Sequence, residues 1–195
     1  MVIIDSGGAN LASLRFALQR LGREALVSTD HAVIRAAERL ILPGVGAAAV
    51  AMERLAAAGL DRLIPTLTQP VLGICLGMQL LCEGSAEGDV SCLGVLPGRA
   101  RRFVPASGRP VPHMGWNRLQ TTAGQPLLDG LPENPWCYFV HSYALPPTTA
   151  TVATCEYGER FAAAMHSGNF HAVQFHPERS GTTGTTILAN FLNLC

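Results

Sequence analysis

Three side chains of this 195-residue chain have the types and spacing needed to run a thiol nucleophile: Cys75, His176 and Glu178. Cys75 lies in Val71-Leu72-Gly73-Ile74-Cys75-Leu76-Gly77-Met78-Gln79-Leu80-Leu81, where an apolar run of strand character passes into a helical one. A single cysteine at that junction, with Gly73 and Gly77 leaving room for a sharp turn, predicts a nucleophile elbow. The elbow lifts the sulfur clear of the sheet, over a helix N-terminus whose dipole and free N–H groups favour thiolate over thiol. A buried strand cysteine is the competing reading, because free Cys is among the most buried residue types.

A cysteine nucleophile needs a base, and the base needs an orienter. Of the six histidines, His31, His113, His141, His166, His171 and His176, only His176 has a carboxylate at a structured spacing, in Gln174-Phe175-His176-Pro177-Glu178. Pro177 biases His176 toward an extended conformation, and residues two apart in an extended segment point the same way. Glu178 is therefore expected to reach the imidazole, set its tautomer and stabilise its cation. For the oxyanion, the elbow supplies the N–H of Leu76. A second donor is available at Val45, because the glycines of Pro43-Gly44-Val45-Gly46 allow a peptide flip. His141 beside Ser142 does not make a Ser-His pair, since adjacent strand residues face opposite sides. His113 sits in the unusual cluster Val111-Pro112-His113-Met114-Gly115-Trp116-Asn117, and His31, His166 and His171 read as surface or satisfied core residues. Asp5-Ser6-Gly7-Gly8-Ala9-Asn10 lacks the spacing of a phosphate loop and reads as a tight turn.

The elements that must position these groups alternate in the first half. Strands are expected at Val2–Asp5, Ala25–Ser28, Leu40–Leu42 (closed by Pro43) and Val71–Ile74. Helices are expected after Asn10, over Ala32–Ala37 behind an Asp30 cap, through Ala47–Ala58 and near Leu60–Leu67. Such alternation implies a parallel sheet covered on both faces, with ligands at the carboxyl ends of its strands. Beyond about Ser85 the style changes to Gly- and Pro-rich sequence. Short β-like runs follow at Ala100–Val104, Trp136–Val140, Val152–Tyr157, Phe161–Met165 and Ala172–Phe175, expected to be mainly antiparallel, and a last helix covers Thr185–Leu194. The fold expected is α/β, one domain over residues 1–195, with a mixed, mostly parallel central sheet flanked by helices and antiparallel strands added in the C-terminal half.

Composition narrows the function class. Net charge is zero and 14% of residues are charged, against roughly 25% in typical soluble domains. No basic patch or charge run points to nucleic acid. The low charge fits either a surface covered by a partner or alanine-rich helices. Six scattered cysteines, Cys75, Cys82, Cys92, Cys137, Cys155 and Cys195, contain no C-x-x-C pair, so neither a metal site nor a disulfide framework is indicated. No apolar run reaches membrane-spanning length and no signal peptide precedes the first strand, so a cytoplasmic location is expected.

Taken in order, these motifs resemble the class I (triad) glutamine amidotransferases. The closer resemblance is to the glutaminase branch of imidazole glycerol phosphate synthases, carried by Gly7–Asn10, Leu42–Gly46, Leu72–Leu81, Val111–Asn117, Tyr138–Tyr143 and Phe175–Gly181. The resemblance implies hydrolysis of glutamine to glutamate with Cys75 as nucleophile, His176 as acid and base, and Glu178 as orienter. It further implies Val45 and Leu76 as oxyanion donors, with Gly44, Gly46, Gln79, Ser142 and Tyr143 around the substrate. No cofactor is implied. The implied partner is a (β/α)8 cyclase subunit, bound as a heterodimer near Asn10, Trp116 and Arg179, which uses the ammonia in histidine biosynthesis. Many members of this branch have Tyr-Gly-x-Gly-Asn where this chain has Ser6-Gly7-Gly8-Ala9-Asn10, a departure that touches no triad residue. A glutaminase serving another acceptor, a stand-alone thiol hydrolase and a non-catalytic binding subunit are the alternative readings.

Overall fold

A computed structural model describes residues 1–7, 11–122 and 124–194. In the first half, strands β1 (Val2–Ile4), β2 (Leu26–Ser28), β3 (Leu40–Gly44) and β4 (Val71–Cys75) alternate with helices α1 (Leu11–Arg20), α2 (His31–Ala36), α3 (Ala48–Ala57), α4 (Leu60–Leu63) and α5 (Leu76–Leu81). The second half adds β5 (Gly84–Ser85), β6 (Val90–Ser91), β7 (Arg99–Arg102), β8 (His113–Arg118), β9 (Gln120–Thr121), β10 (Trp136–His141), β11 (Tyr143–Ala144), β12 (Thr151–Glu156), β13 (Arg160–Ser167), β14 (Phe170–Val173) and α6 (Gly181–Asn193).

The central sheet has eight strands in the order β2-β1-β3-β4-β14-β13-β12-β9. Its first five run parallel, and the antiparallel strands follow on one edge. β14 falls among the runs expected to be mainly antiparallel; it pairs antiparallel with β13, but on its other side it pairs parallel with β4, which brings the segment ending in His176 alongside the elbow. β8 and β10 form a separate ribbon, and β11-β7-β5-β6 a small third sheet.

Period-two alternation sorts the buried residues to two faces. Val2, Ile4, Leu40 and Leu42 pack with Ile34 of α2, Leu55 of α3 and Leu80 of α5. Ile3, Ile41, Leu72 and Ile74 pack with Leu14 and Leu18 of α1 and Ile187, Leu188 and Phe191 of α6. Strands covered on both sides are what a parallel sheet requires. The local signals that start and stop the helices also hold. Asp30 caps α2 by accepting from the N–H groups of Ala32 and Val33, and Gly22, with φ +71°, follows α1. The proposed Asn10 cap lies outside the described residues.

Two boundaries differ from expectation for identifiable reasons. Pro43 is expected to close β3, yet the strand continues through Gly44. The Pro43 carbonyl accepts from Ser6 Oγ at 2.6 Å, on the side where β1 has already ended. A strand residue's N–H and C=O point to the same side, so the proline's missing N–H costs no ladder bond there. α6 begins at Gly181, four residues before the expected start, because its weakly helical first turn is held by packing rather than propensity. A Cβ on Gly184 would overlap the Pro177 carbonyl, so a glycine is what allows α6 to lie against the turn that follows His176.

Candidate active site

The elbow forms where β4 meets α5, and its strain sits on the nucleophile itself. Cys75 has φ 54° and ψ −111°, a positive φ at a non-glycine residue. The flanking glycines serve close approach rather than left-handed backbone. A side chain on Gly77 would overlap the Leu42 carbonyl of β3, and one on Gly73 would meet Leu81 and the Gly77 carbonyl. Without those two side chains, α5 lies directly on β3 and β4, and the sulfur stands at the carboxyl end of the sheet.

A cavity of about 480 Å³ opens there. It is lined by Gly44, Val45 and Gly46 from the turn after β3, by Cys75, Leu76 and Gln79 from the elbow, and by Ser142 and Tyr143 after β10. His176, Glu178 and Arg179 complete the wall. Of the residues singled out from sequence, eleven therefore share one cavity, read directly from its lining. Trp116 is not among them; it stands 53% exposed on β8. Its ring is 6.1 Å from that of Tyr138, and the Arg179 guanidinium lies 4.8 Å from the centroid of the same Tyr138 ring. Trp116, Tyr138 and Arg179 thus form a surface cluster at the mouth of the cavity. Asn10 lies outside the described residues.

His176 Nδ1 and Glu178 Oε1 are 2.9 Å apart, and both side chains are largely buried. The route by which Glu178 reaches the ring differs from the one expected. His176 is extended, but Pro177–Arg179 form a 3-10 turn closed by Arg179 N–H donating to the His176 carbonyl at 3.0 Å. Pro177 starts that turn because its fixed φ suits a first helical position. The Nδ1 contact leaves Nε2 buried without a hydrogen-bond partner, available to the sulfur and to substrate. Burial works against a charged His176, but contacts with Cys75 and Glu178 outweigh it and raise its pKa to about 10. The imidazole is therefore held protonated next to the thiol. The Cys75 sulfur also lies 3.8 Å from Gln174 Nε2 and from the Val140 carbonyl.

Two groups at the site, Glu87 and Gln174, carry no expectation from the sequence. Glu87 lines the cavity while its Oε2 accepts from the Ala48 N–H at 3.0 Å, capping α3. Nothing local marks it, because its place depends on a loop returning to the first half of the sheet. Gln174, fully buried, carried a usable signal: it is two residues before His176 in an extended run and so shares its side. His141 makes no bond to Ser142; it bonds His113 and the Tyr143 carbonyl instead. His171 departs from a satisfied core residue, since its Nδ1 is buried without a partner. Among the described residues no cluster of three or more His, Cys, Asp or Glu could hold a metal, and no helix is long and apolar enough to cross a membrane.

Comparison with known proteins agrees with this geometry. The family model described as glutamine amidotransferase class-I matches residues 2–195. The imidazole glycerol phosphate synthase subunit HisH of Xanthomonas campestris pv. campestris (strain 8004) is 56% identical over 194 residues, covering 100% of this chain and 97% of that one. The HisH subunit of Xylella fastidiosa (strain Temecula1) is 55% identical with the same coverage. Among solved structures, a glutamine amidotransferase superposes with TM-score 0.75 at 21% identity, over 98% of this chain and 96% of the other. A glutamine amidotransferase from Thermotoga maritima gives 0.70 at 15%, over 98% and 95%; at these identities the two structures speak for the fold alone. A family model spanning almost every residue, and relatives more than half identical from end to end, place the chain in the class-I glutamine amidotransferases, within the HisH branch.

Proposed function

We propose that this chain is the glutaminase subunit of imidazole glycerol phosphate synthase, a single amidotransferase domain over residues 1–195 working in the cytoplasm. It hydrolyses glutamine and passes the ammonia to a (β/α)8 cyclase subunit in a heterodimer. The observation that carries this reading is the free Nε2 of a His176 already anchored on Glu178, in the same cavity as a strained Cys75.

His176, its pKa raised beside Cys75 and Glu178, takes the thiol proton and holds it as glutamine arrives. The thiolate attacks the side-chain carboxamide carbon, and the N–H groups of Leu76 and Val45 receive the oxyanion. His176 gives its Nε2 proton to the departing nitrogen, the C–N bond breaks, and a γ-glutamyl thioester remains. Water, losing a proton to His176, then attacks the thioester and releases glutamate, returning the thiolate–imidazolium pair. Glu178 holds the ring in the productive tautomer throughout. Gly44, Gly46, Ser142 and Tyr143 wall the substrate and Gln79 holds its amide end. Glu87, with Oε2 on the α3 cap, offers Oε1 to the α-ammonium.

Ammonia protonated in bulk water is useless as a nucleophile, so it must travel through a dry passage to the acceptor. The cluster of Trp116, Tyr138 and Arg179 is where the cyclase docks, and Asn10 is a further contact that the likeness to this branch implies. A glutaminase running without an acceptor wastes glutamine, and Gly46, with φ +91°, lets the Val45 peptide switch between idle and donating orientations. Glutamine turnover is expected to rise about 100-fold when the cyclase and its nucleotide are added, within the usual range of coupling between sites. Steady-state assays of the chain alone and of the loaded complex measure this. High turnover alone that stays unchanged in the complex contradicts it.

A further inference from the structure

A file of hydrogen bonds runs from the exposed edge of the outer ribbon inward to the nucleophile, and each bond's direction follows from the one before it. Asn117 Oδ1 accepts from Arg118 N–H at 2.8 Å, so Nδ2 is the donor end of that amide. It gives one N–H to the Glu156 carbonyl at 2.9 Å and one to His113 Nε2 at 3.3 Å. His113 Nε2 is then an acceptor, which places the ring proton on Nδ1, and Nδ1 donates to His141 Nε2 at 3.0 Å. His141 accordingly carries its proton on Nδ1, which donates to the Tyr143 carbonyl at 2.9 Å. The same carbonyl accepts from Gln79 Nε2 at 2.9 Å, and Gln79 gives its second N–H to Gln174 Oε1 at 3.0 Å. Gln174 Nε2 is thereby left facing the Cys75 sulfur at 3.8 Å.

Apolar and aromatic neighbours keep the file's two histidines dry. Phe139 and Tyr157 stack on the His113 ring at 5.0 and 4.0 Å, and Phe103 and Phe161 stand 5.4 and 5.2 Å from His141. Burial accordingly lowers the pKa of His141 to about 3 and that of His113 to about 4, so both rings are neutral and the proton order is the one deduced. A protonated ring would set N–H against N–H at one of its two contacts. With both N–H groups engaged, Gln79 has only Oε1 left to offer the cavity it lines.

We propose that His113, His141 and Gln174 are positioning residues for glutamine hydrolysis: the file holds the Gln79 amide with Oε1 toward the substrate and ends in a donor at the Cys75 sulfur. His141 acts through the Tyr143 carbonyl, and Gln174 serves both the amide and the nucleophile. The inference rests on the glutaminase reading for its kinetic part, while the donor at the sulfur is independent of it.

Two readouts on the full chain with its cyclase partner separate those parts. His141→Phe keeps the ring's shape and removes both hydrogen bonds. It should raise KM for glutamine about tenfold with kcat within about threefold of wild type, the pattern of lost substrate binding. His141→Asn, which retains a donor near the Nδ1 position, should recover most of that KM. Alkylation of Cys75 by iodoacetamide, followed by peptide mass spectrometry, needs no glutamine. Gln174→Met should slow it about threefold to tenfold, the worth of one ordinary hydrogen bond. A His141→Phe enzyme with wild-type KM, its kcat lowered only in step with its folded fraction, overturns the His141 role. Wild-type alkylation in Gln174→Met overturns the donor at the sulfur. Absent glutamine turnover in wild type, with alkylation still dependent on Gln174, would remove the glutaminase reading and leave that donor standing.

Discussion

Cys75→Ala abolishes glutamine-dependent synthesis by the complex and leaves ammonia-dependent synthesis intact. Among the described residues lining the cavity, the sulfur is the group placed to form a covalent bond with the carboxamide while the anchored His176 exchanges protons with it. Alanine removes the bond-forming atom and little else, since the strained backbone at φ 54° is imposed by the packing of α5 on β3. Loss of a covalent nucleophile costs on the order of 10⁴- to 10⁶-fold in turnover. Exogenous ammonia needs none of this machinery, so a complex that still folds and docks retains synthesis from ammonium salts. Parallel assays with glutamine and with ammonium chloride check both halves. Glutamine-dependent synthesis that survives the substitution removes Cys75 from the reaction.

Gly77→Ala is the second large effect, and it arises from contact rather than from backbone strain. A methyl group there overlaps the Leu42 carbonyl, a backbone atom in the middle of the parallel sheet that cannot swing aside. Either α5 or β3 must move, and overpacking of this kind costs about 3 kcal/mol. For a domain of this size that is a fall of roughly 6–12 °C in Tm. Gly46→Ala is the matched control: it has positive φ but nothing within 4 Å of its Cβ position, so strain alone should cost about 1 kcal/mol. Thermal unfolding of the two variants distinguishes them. Because α5 carries Gln79 and starts directly after Cys75, Gly77→Ala should also lose most of its glutamine turnover in the fraction that stays folded.

What was legible in the sequence was mostly local. The Asp30 cap, the glycine after α1 and the change of period at Cys75 each involve residues within one turn of each other, and each is where its spacing put it. His176 and Glu178 belong to the same class, although a 3-10 turn rather than an extended run joins them. Contacts between distant segments were not legible. The parallel pairing of β14 with β4 decides that His176 arrives at Cys75, and nothing in the Phe170–Val173 run marks it as parallel. Glu87 reaches the cavity from a loop 39 residues from the helix end it caps. Pro43 reads as a stop because its missing N–H is a local fact, whereas the end of β1 beside it is not. His113 and His141 stand 28 residues apart in sequence, and only the β8–β10 ribbon sets them opposite each other.

The central claim is that Cys75 generates ammonia for a partner and not for the solvent. It is tested most directly with glutamine labelled with ¹⁵N in its side-chain amide, given to the assembled complex in the presence of excess unlabelled ammonium. The account predicts that the imidazole ring of the product carries the label almost undiluted, with one glutamate formed for each imidazole formed. Product nitrogen that matches the unlabelled pool, or glutamate released without matching product, would contradict it.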